Sequence, residues 1–517
     1  MYDFILSIMS GINIYFWNDF RHPAVLPKED EMKTILITLI VLTFSFAGAF
    51  SESISLENLL QNIQADHPLI EQESLSPKIE SKRREGFLTA QSWYLSGGPS
   101  YFHSKPIVTS PFSPTTIDRI QQQASLRKNL WSTGGSLQLG WSSLLTKQTI
   151  SDITVPSQNG SFTIPSGVST LYEHSVSASY TQPLMRNFKG RLDSLNYNSA
   201  EFDISVAKLQ SRENQEKFLF EVGSKYLEWV HLEERAKIAA ERLRLAEEIL
   251  TLTREKRQAN LVDQVDVLRS EDAVLSARQA LVLLQAQIKA VKAELAVLAK
   301  VDYIRQSSPD YNLFDTADLP AINRAGDIIL ENSRILKILE TRKEQLIYLR
   351  GSYSETGRAS LDLNLGVTLK GGEETFGNSL EITKPDFSVG LMFSQQLGSR
   401  GADYDVARTE LQIQQLQARA DKARLDLESA LQNLLIQMDE LVDVMELNRR
   451  EIESAQRKTE EELRLYEQGR SDLTIVIQSR DNQQNARQIL AQNAASYHRL
   501  LLKYRELTDQ LLDIREQ

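Results

Sequence analysis

The 517-residue sequence predicts a mainly α-helical protein with transmembrane β-strands, built from two copies of a helix–β-hairpin–long helix–return helix unit. Three observations predict this class. Two long segments are rich in strong helix formers and nearly free of glycine and proline. Segments between them alternate apolar and polar residues. The whole pattern occurs twice, which indicates an internal duplication.

The composition excludes several classes of protein. The 58 basic and 69 acidic side chains give a net charge of −11 with scattered cations, so nucleic acid is not an expected partner. The absence of cysteine excludes disulfides, thiolate metal sites and cysteine nucleophiles. No two histidines have the i,i+3 or i,i+4 spacing of a helical metal site, and no Walker, GxSxG or HExxH motif occurs. We therefore expect no metal, no cofactor and no enzymatic activity.

The N-terminal region predicts export from the cytoplasm. Residues 32–49 have one lysine, an apolar stretch and a small-x-small sequence ending at Ala49, which is the layout of a cleaved signal peptide. Residues 1–31 are acidic where a signal peptide should be basic, so we interpret them as an artefact of the assigned gene start. The alternative is a genuine N-terminal extension.

The two long helices are predicted over residues 191–258 and 402–468. In the second, apolar residues alternate spacings of four and three from Leu427 to Ile452, which is the heptad seam of supercoiled helices. The return helices that follow are predicted over residues 264–300 and 472–515.

The β-hairpins are predicted at about residues 93–184 and 359–397. Residues 359–369 and 387–393 alternate apolar side chains with serine, asparagine and glycine, a pattern typical of transmembrane strands with one face toward lipid. A soluble, half-buried hairpin is the alternative. With four to six such strands, one chain has too few to close a barrel, so several chains must associate, and three is the simplest number that gives 12 or more strands.

The duplication defines the domain organisation. The first repeat is predicted over residues 50–302, a connector over 303–325, and the second repeat over 326–517. The first hairpin is longer because it contains an insertion at about residues 104–173. Its serine, threonine, proline and glutamine content leaves open whether it forms an exposed loop or adds a pair of strands.

Three segments resemble the TolC family of outer-membrane efflux and secretion channels. Leu463–Asn485 and Arg257–Asp272 are similar to the family's two helix–turn–helix tips, and Ile54–Pro68 is similar to its start. The resemblance implies a homotrimer whose 12-stranded β-barrel lies in the outer-membrane lipid and is continued by a periplasmic α-helical barrel. It also implies a passive exit duct for efflux or type I secretion. Its partners would be a periplasmic adaptor protein and an inner-membrane pump of the RND or ABC type.

The resemblance further implies a gate and a docking surface at the helix tips. Tyr466 matches the gate tyrosine and Asp266 its acidic partner; Arg470 adjoins the family's arginine position, and Ile475 and Gln478 replace its paired aspartates. The residues expected to dock the adaptor are Asn260, Leu261, Asp263, Gly469, Ser471 and Asp472.

Two alternatives stay open. Asp263 and Asp472 are also suited to capping the return helices. The whole chain could instead be a periplasmic or surface coiled-coil scaffold without a pore. The sequence does not distinguish drugs, metals and proteins as substrates.

Overall fold

The computed structural model describes residues 53–107, 109–110, 113–157, 160–398 and 400–512. The predicted artefact at 1–31 and signal peptide at 32–49 lie outside the described residues, as do residues 513–515 of the predicted return helix. Of the described residues, Ser53 and residues 306–308 belong to one compact unit, and those within 54–305 and 309–512 belong to a second. The second unit contains the long helices and the large sheet.

The first half of the chain alternates helices with a block of strands. Its elements are β1 (Ser53–Ser55), α1 (Leu56–Asp66), α2 (Pro68–Phe87), β2 (Tyr94–Ser104), β3 (Thr116–Leu130), β4 (Gly135–Ile150), β5 (Ile153–Ser157), β6 (Gly160–Ile164), β7 (Gly167–Pro183), α3 (Leu195–Gln258) and α4 (Gln264–Leu298).

The second half has the same order with fewer strands. Its elements are β8 (Ser308–Asp310), α5 (Ala325–Asn332), α6 (Arg334–Thr356), β9 (Ser360–Glu373), α7 (Phe376–Ser379), β10 (Lys384–Ser394), α8 (Gly401–Glu467) and α9 (Leu473–Leu507). The mainly helical architecture with a β-sheet part is therefore confirmed.

Two helix boundaries differ from the sequence prediction by four residues or more, for local reasons. The first long helix begins at Leu195 rather than 191, because Asn187, Lys189 and Gly190 have positive φ and turn the chain before it. The second return helix ends at Leu507 rather than 515, where Thr508 caps it and Asp509 adopts φ 60°. A left-handed residue cannot continue a right-handed helix.

Six strands form one antiparallel sheet in the order β10-β9-β7-β4-β3-β2. The insertion at 104–173 therefore contributes two strands, β3 and β4, to this sheet. It also contains the β5–β6 hairpin, which forms a separate two-stranded sheet. The six strands of this sheet, counted among the described residues, differ from the four per chain that a 12-stranded trimer requires. The resemblance to the family did not foresee this difference.

The sheet has an apolar face and a polar face, and the apolar face is interrupted on β3 by Asp118, Gln122 and Lys128. One row of laterally paired residues on the apolar face consists of Leu95, Leu126, Leu139, Ala178, Val367 and Phe387. The adjacent row on the polar face consists of Ser96, Ser125, Gly140, Ser177, Thr368 and Asp386. Several apolar-face side chains are exposed, including Leu95 at 71% and Phe387 at 78%.

The main hydrophobic core joins the long helices to the short helix α1. Leu59, Leu60 and Ile63 of α1 are fully buried with Tyr226 and Trp229 of α3. The Tyr226 hydroxyl donates to the Ile54 carbonyl at 2.7 Å, so α3 is tied to the entry of α1. Within the described residues, no helix combines the length and the hydropathy that crossing a membrane demands.

Candidate functional site at the helix tips

The first tip joins α3 to α4 through a left-handed turn. Asn260 has φ 59°, and the Leu261 amide donates to the Lys256 carbonyl at 2.9 Å. This is the helix-ending geometry in which asparagine can replace glycine. Asp263 lies at the N-cap position of α4, but its side chain makes no capping hydrogen bond.

The second tip repeats this geometry between α8 and α9. Gly469 has φ 73°, and the Arg470 amide donates to the Leu465 carbonyl at 2.8 Å. Here the Asp472 side chain does cap the return helix, accepting from the Thr474 amide at 2.7 Å. Hydrogen bonds from Thr474 lower the pKa of Asp472. The two tips thus share a backbone shape but differ in capping.

Tyr466 is buried beneath the second tip. The residue is 4% exposed and packs with Ile249, Leu473 and Val476 in a small cluster separate from the main core. Its hydroxyl lies 3.5 Å from Thr253 Oγ1. Burial raises the pKa of Tyr466, so the hydroxyl stays protonated near neutral pH.

Asp266 lies close to Tyr466 but has a different partner. Its carboxylate forms an ion pair with Arg269 of the same helix at 3.2 Å, and its backbone carbonyl accepts from Ser270 Oγ at 2.8 Å. The charge of Asp266 contributes to the raised pKa of Tyr466, which places the two groups in one electrostatic environment. Within this chain, the hydroxyl faces Thr253 rather than the carboxylate.

Lys256 joins the two tips. Its ammonium lies 4.0 Å from the centroid of the Tyr466 ring, and it donates to the backbone carbonyls of Tyr466 and Glu467 at the end of α8. A cation at a helix C-terminus interacts favourably with unpaired carbonyls and with the helix dipole. Burial lowers the pKa of Lys256.

The remaining predicted residues lie on the tip surface. Arg470, Ile475 and Gln478 are exposed, and Ser471 donates to Glu462 at 2.9 Å. Leu261 is exposed to 71%, and below it α4 presents further exposed apolar residues, Val265 and Leu268. Exposed apolar side chains in a row are typical of a surface that contacts another protein.

Beside the tips, α3, α4 and α9 enclose a groove of about 400 Å³. Its polar lining consists of Arg242, Arg269, Asp272, Ser276, Thr474, Arg480, Asp481 and Gln484. Arg242 pairs with Asp481 at 2.8 Å, and Arg480 donates to the Leu245 carbonyl. The side-chain amide of Gln484 is buried and has no hydrogen-bond partner among the described residues.

Sequence reasoning missed Thr253, Lys256 and Ser270, which surround Tyr466. Ser270 donates to Thr253 Oγ1 at 3.3 Å, so the two hydroxyls connect α4 to α3 beside the tyrosine. The spacing of these hydroxyl residues could have identified them. Thr253 follows the buried Ile249 by four residues, and Ser270 follows the buried Val267 by three, so each lies on the buried face of its helix. A heptad seam normally places apolar residues there.

One acidic cluster lies far from the tips. Glu213, Glu216 and Asp509 have carboxylates close enough to hold a cation, but the Arg334 guanidinium lies among them, 3.1 Å from Asp509 and also paired with Glu216. Burial raises the pKa of Asp509 and of Glu213. The arginine supplies the positive charge, so the cluster needs no metal.

Residues 136–299 match the family model described as outer membrane efflux protein. The resemblance to the outer membrane efflux family is confirmed. The matched segment extends from β4 through α4 and includes the first tip, with Asn260 and Asp266. Comparison with curated protein sequences gives no match.

Solved structures of outer membrane proteins and channels share the fold. The outer membrane protein VceC of Vibrio cholerae is 12% identical with a TM-score of 0.61, covering 88% of this chain and 96% of its own. CusC is 12% identical with a TM-score of 0.63, covering 95% and 99%. The CmeC outer membrane channel of Campylobacter jejuni is 12% identical with a TM-score of 0.59, covering 88% and 85%. At such identities the likeness establishes the fold.

Proposed function

We propose that this protein is the outer-membrane exit duct of a tripartite efflux or type I secretion system. It conducts substrates passively from an inner-membrane pump and a periplasmic adaptor to the exterior, and it catalyses no reaction. The observation that carries this proposal is the two-faced sheet: an exposed apolar face suits lipid, and the serine- and threonine-rich opposite face suits an aqueous lumen.

Assembly into a homotrimer completes the duct. Among the described residues the sheet is open, and each of its outermost strands, β2 and β10, has one edge without a strand partner. An open edge cannot face lipid because its backbone groups would lack hydrogen-bond partners. Three chains around one axis would close the barrel and gather the long helices, of 64 and 67 residues, beneath it in the periplasm.

The helix tips then form the periplasmic entrance and the docking surface for the adaptor. Tyr466, buried between the two tips, and Asp266 near it hold the entrance narrow, with Arg470, Ile475 and Gln478 on the exposed surface beside them. Docking would use the two tip turns and the charged groove next to them. The groove suits a partner because it combines an apolar floor of Leu245 and Ile249 with charged walls.

The alternative, a coiled-coil scaffold without a pore, predicts a different response of the sheet to introduced charges. In a scaffold the alternating faces have no lipid to meet, so a charge on either face should be tolerated equally. In a duct, arginine on the lipid face costs about 2–4 kcal/mol at mid-membrane, whereas the lumen face accepts it.

Two adjacent residues of β10 make a matched test. Val389 belongs to the apolar face and Ser388 to the polar face, and both are exposed in the chain. We expect Val389→Arg to reduce the outer-membrane fraction of the protein several-fold and Ser388→Arg to leave it unchanged. Equal behaviour of the two variants, or a native protein that stays in the water-soluble periplasmic fraction without detergent, would favour the scaffold.

A further inference from the structure

We infer that each chain contributes six strands to the barrel wall, and that β10 of one copy pairs with β2 of the next, so that a trimer has 18 strands. The inference rests on the duct proposed above and specifies its assembly surface. The partner is a second copy of this chain, and the interface is a backbone edge rather than an apolar patch.

The two edge strands have the same length and run in the opposite directions that antiparallel pairing requires. β2 and β10 are both 11 residues long, and nearly every residue of either strand is exposed. β2 follows α2 and runs away from the helices, whereas β10 leads into α8 and runs toward them. Placed side by side they are antiparallel, which continues the alternation of the whole sheet without a break.

The faces of the sheet also reach both edges. The apolar row begins at Leu95 on β2 and ends at Phe387 on β10, and the polar row runs from Ser96 to Asp386. If β2 and β3 lay outside the wall, the apolar row would have no reason to continue through Leu95 and Leu126. Instead Leu126 of β3 pairs with Leu95 on one side and Leu139 on the other.

The inserted hairpin is fixed to the base of the sheet. The turn between β3 and β4 packs so closely on the loop before α3 that a Cβ at Gly190 would lie 1.9 Å from the Trp131 carbonyl oxygen. On the same turn, Gln182 donates to the Thr133 carbonyl at 2.8 Å. The turn is therefore part of the same wall as β7, and it does not have the loose attachment of a surface loop.

The consequence is a wider duct. Barrel diameter grows roughly in proportion to strand number, so 18 strands give about 1.5 times the circumference of 12. A barrel of this size lies in the range that leaves an aqueous channel. The lumen at the outer membrane would then exceed what the family resemblance implies.

Because the chain contains no cysteine, any disulfide must form between cysteines that are introduced for the test. Lumen-facing residues of β2 (Ser96, Gly98, Ser100) are changed to cysteine and combined with similar changes on β10 (Ser388, Gly390, Met392). A Cβ at Gly98 or Gly390 meets no atom within 4 Å, so these positions have room. Opposite residues of paired strands have Cβ atoms about 4.5–5.5 Å apart, close to disulfide distance.

We expect at least one pair, under mild oxidation of the assembled protein in membranes, to convert most of the monomer band to linked dimers and trimers on denaturing gels. Single-cysteine variants should remain mostly monomeric. The competing wall of four strands per chain would bring β10 against β4 instead. Gln138→Cys or Ser142→Cys on the polar face of β4, combined with the same β10 changes, tests that arrangement.

Linkage of β4 to β10, or no β2–β10 linkage in a preparation that conducts ions in bilayers, would overturn the six-strand wall while leaving the duct intact. Linkage of β2 to β10 in a preparation that never conducts would keep the wall and reject the duct. Absence of both linkage and conductance would contradict both.

Discussion

Lys256 near the end of the first long helix lies over the ring of Tyr466 near the end of the second, with Nζ 4.0 Å from the ring centroid. The contact connects the two repeats of one chain at the point where the duct would be narrowest. The ammonium group contacts both the face of the ring and the backbone carbonyls at the end of α8. Reaching both requires a cation on a long, flexible side chain such as that of lysine.

Replacing this cation should loosen the entrance. We expect Lys256→Met to keep the packing of the stem but to remove a cation–π contact worth about 0.5–2 kcal/mol. If the tips separate more readily, the open probability of single channels in planar bilayers should rise several-fold. Lys237→Met, an exposed lysine paired only with Glu234 of its own helix, is the matched control and should leave gating unchanged. Equal effects of the two variants would remove Lys256 from the gate.

Double variants can identify the partner of the Tyr466 hydroxyl, because the effects of two substitutions on conductance add only when the two residues do not interact. Because the hydroxyl faces Thr253, Tyr466→Phe and Thr253→Val should each raise conductance slightly, and the double variant should resemble either single variant. Tyr466→Phe combined with Asp266→Ala should instead be additive, since Asp266 pairs with Arg269. The opposite pattern, additive with Thr253 and non-additive with Asp266, would show that assembly turns the hydroxyl toward the carboxylate.

The two return helices should respond differently to loss of their capping aspartates. Asp472→Ala removes a hydrogen bond to the Thr474 amide and should cost about 1 kcal/mol of local stability. Asp263→Ala is the matched variant at the other tip, where no such bond exists, and should cost less. Amide hydrogen exchange of the first turn of each helix measures both. A larger effect at Asp263 would contradict the capping assignment.

The helices should lose stability in mild acid through His498. Burial lowers the pKa of this imidazole below its usual 6.5, and its nitrogens contact the Tyr311 hydroxyl at 2.8 Å and the Leu313 carbonyl at 3.0 Å. Below about pH 6.5 the unfolded state binds the proton more readily, so stability falls as pH falls.

The loss can reach about 1.4 kcal/mol per pH unit while one such group titrates. Urea unfolding followed by circular dichroism should show a shallower pH dependence between 5 and 7 for His498→Gln than for the native chain. At pH 8 the contribution of His498 should vanish, so the slopes of the native chain and the variant should be equal. An unchanged slope in the variant would assign the acid sensitivity to other groups, such as the buried His231, whose pKa is also lowered.

The sequence predicts the helices better than the strands, for a physical reason. A heptad seam such as that from Leu427 to Ile452 repeats over many helical turns, so the sequence shows it clearly. The left-handed turn that ends the first long helix is also easy to predict, because it depends on the single residue Asn260. β3 is harder to predict because Asp118, Gln122 and Lys128 interrupt its apolar face. These polar residues are enough to hide the alternation of apolar and polar side chains in a strand of 15 residues.

The groups around Tyr466 were hidden for another reason. Thr253 and Ser270 stand on different helices and meet only because the antiparallel pair α3–α4 brings them together across 17 residues of sequence. Nothing local marks such a pair. The family resemblance therefore indicated the tyrosine and the aspartate but not the hydroxyls between α3 and α4.

The most direct test of the central claim is single-channel recording of the purified, assembled chain in planar lipid bilayers. The duct predicts stepwise, passive ion conductance without any energy source, increased by Lys256→Met at the entrance. Protein that inserts stably into the bilayer but passes no current, in both the native chain and this variant, would contradict the account.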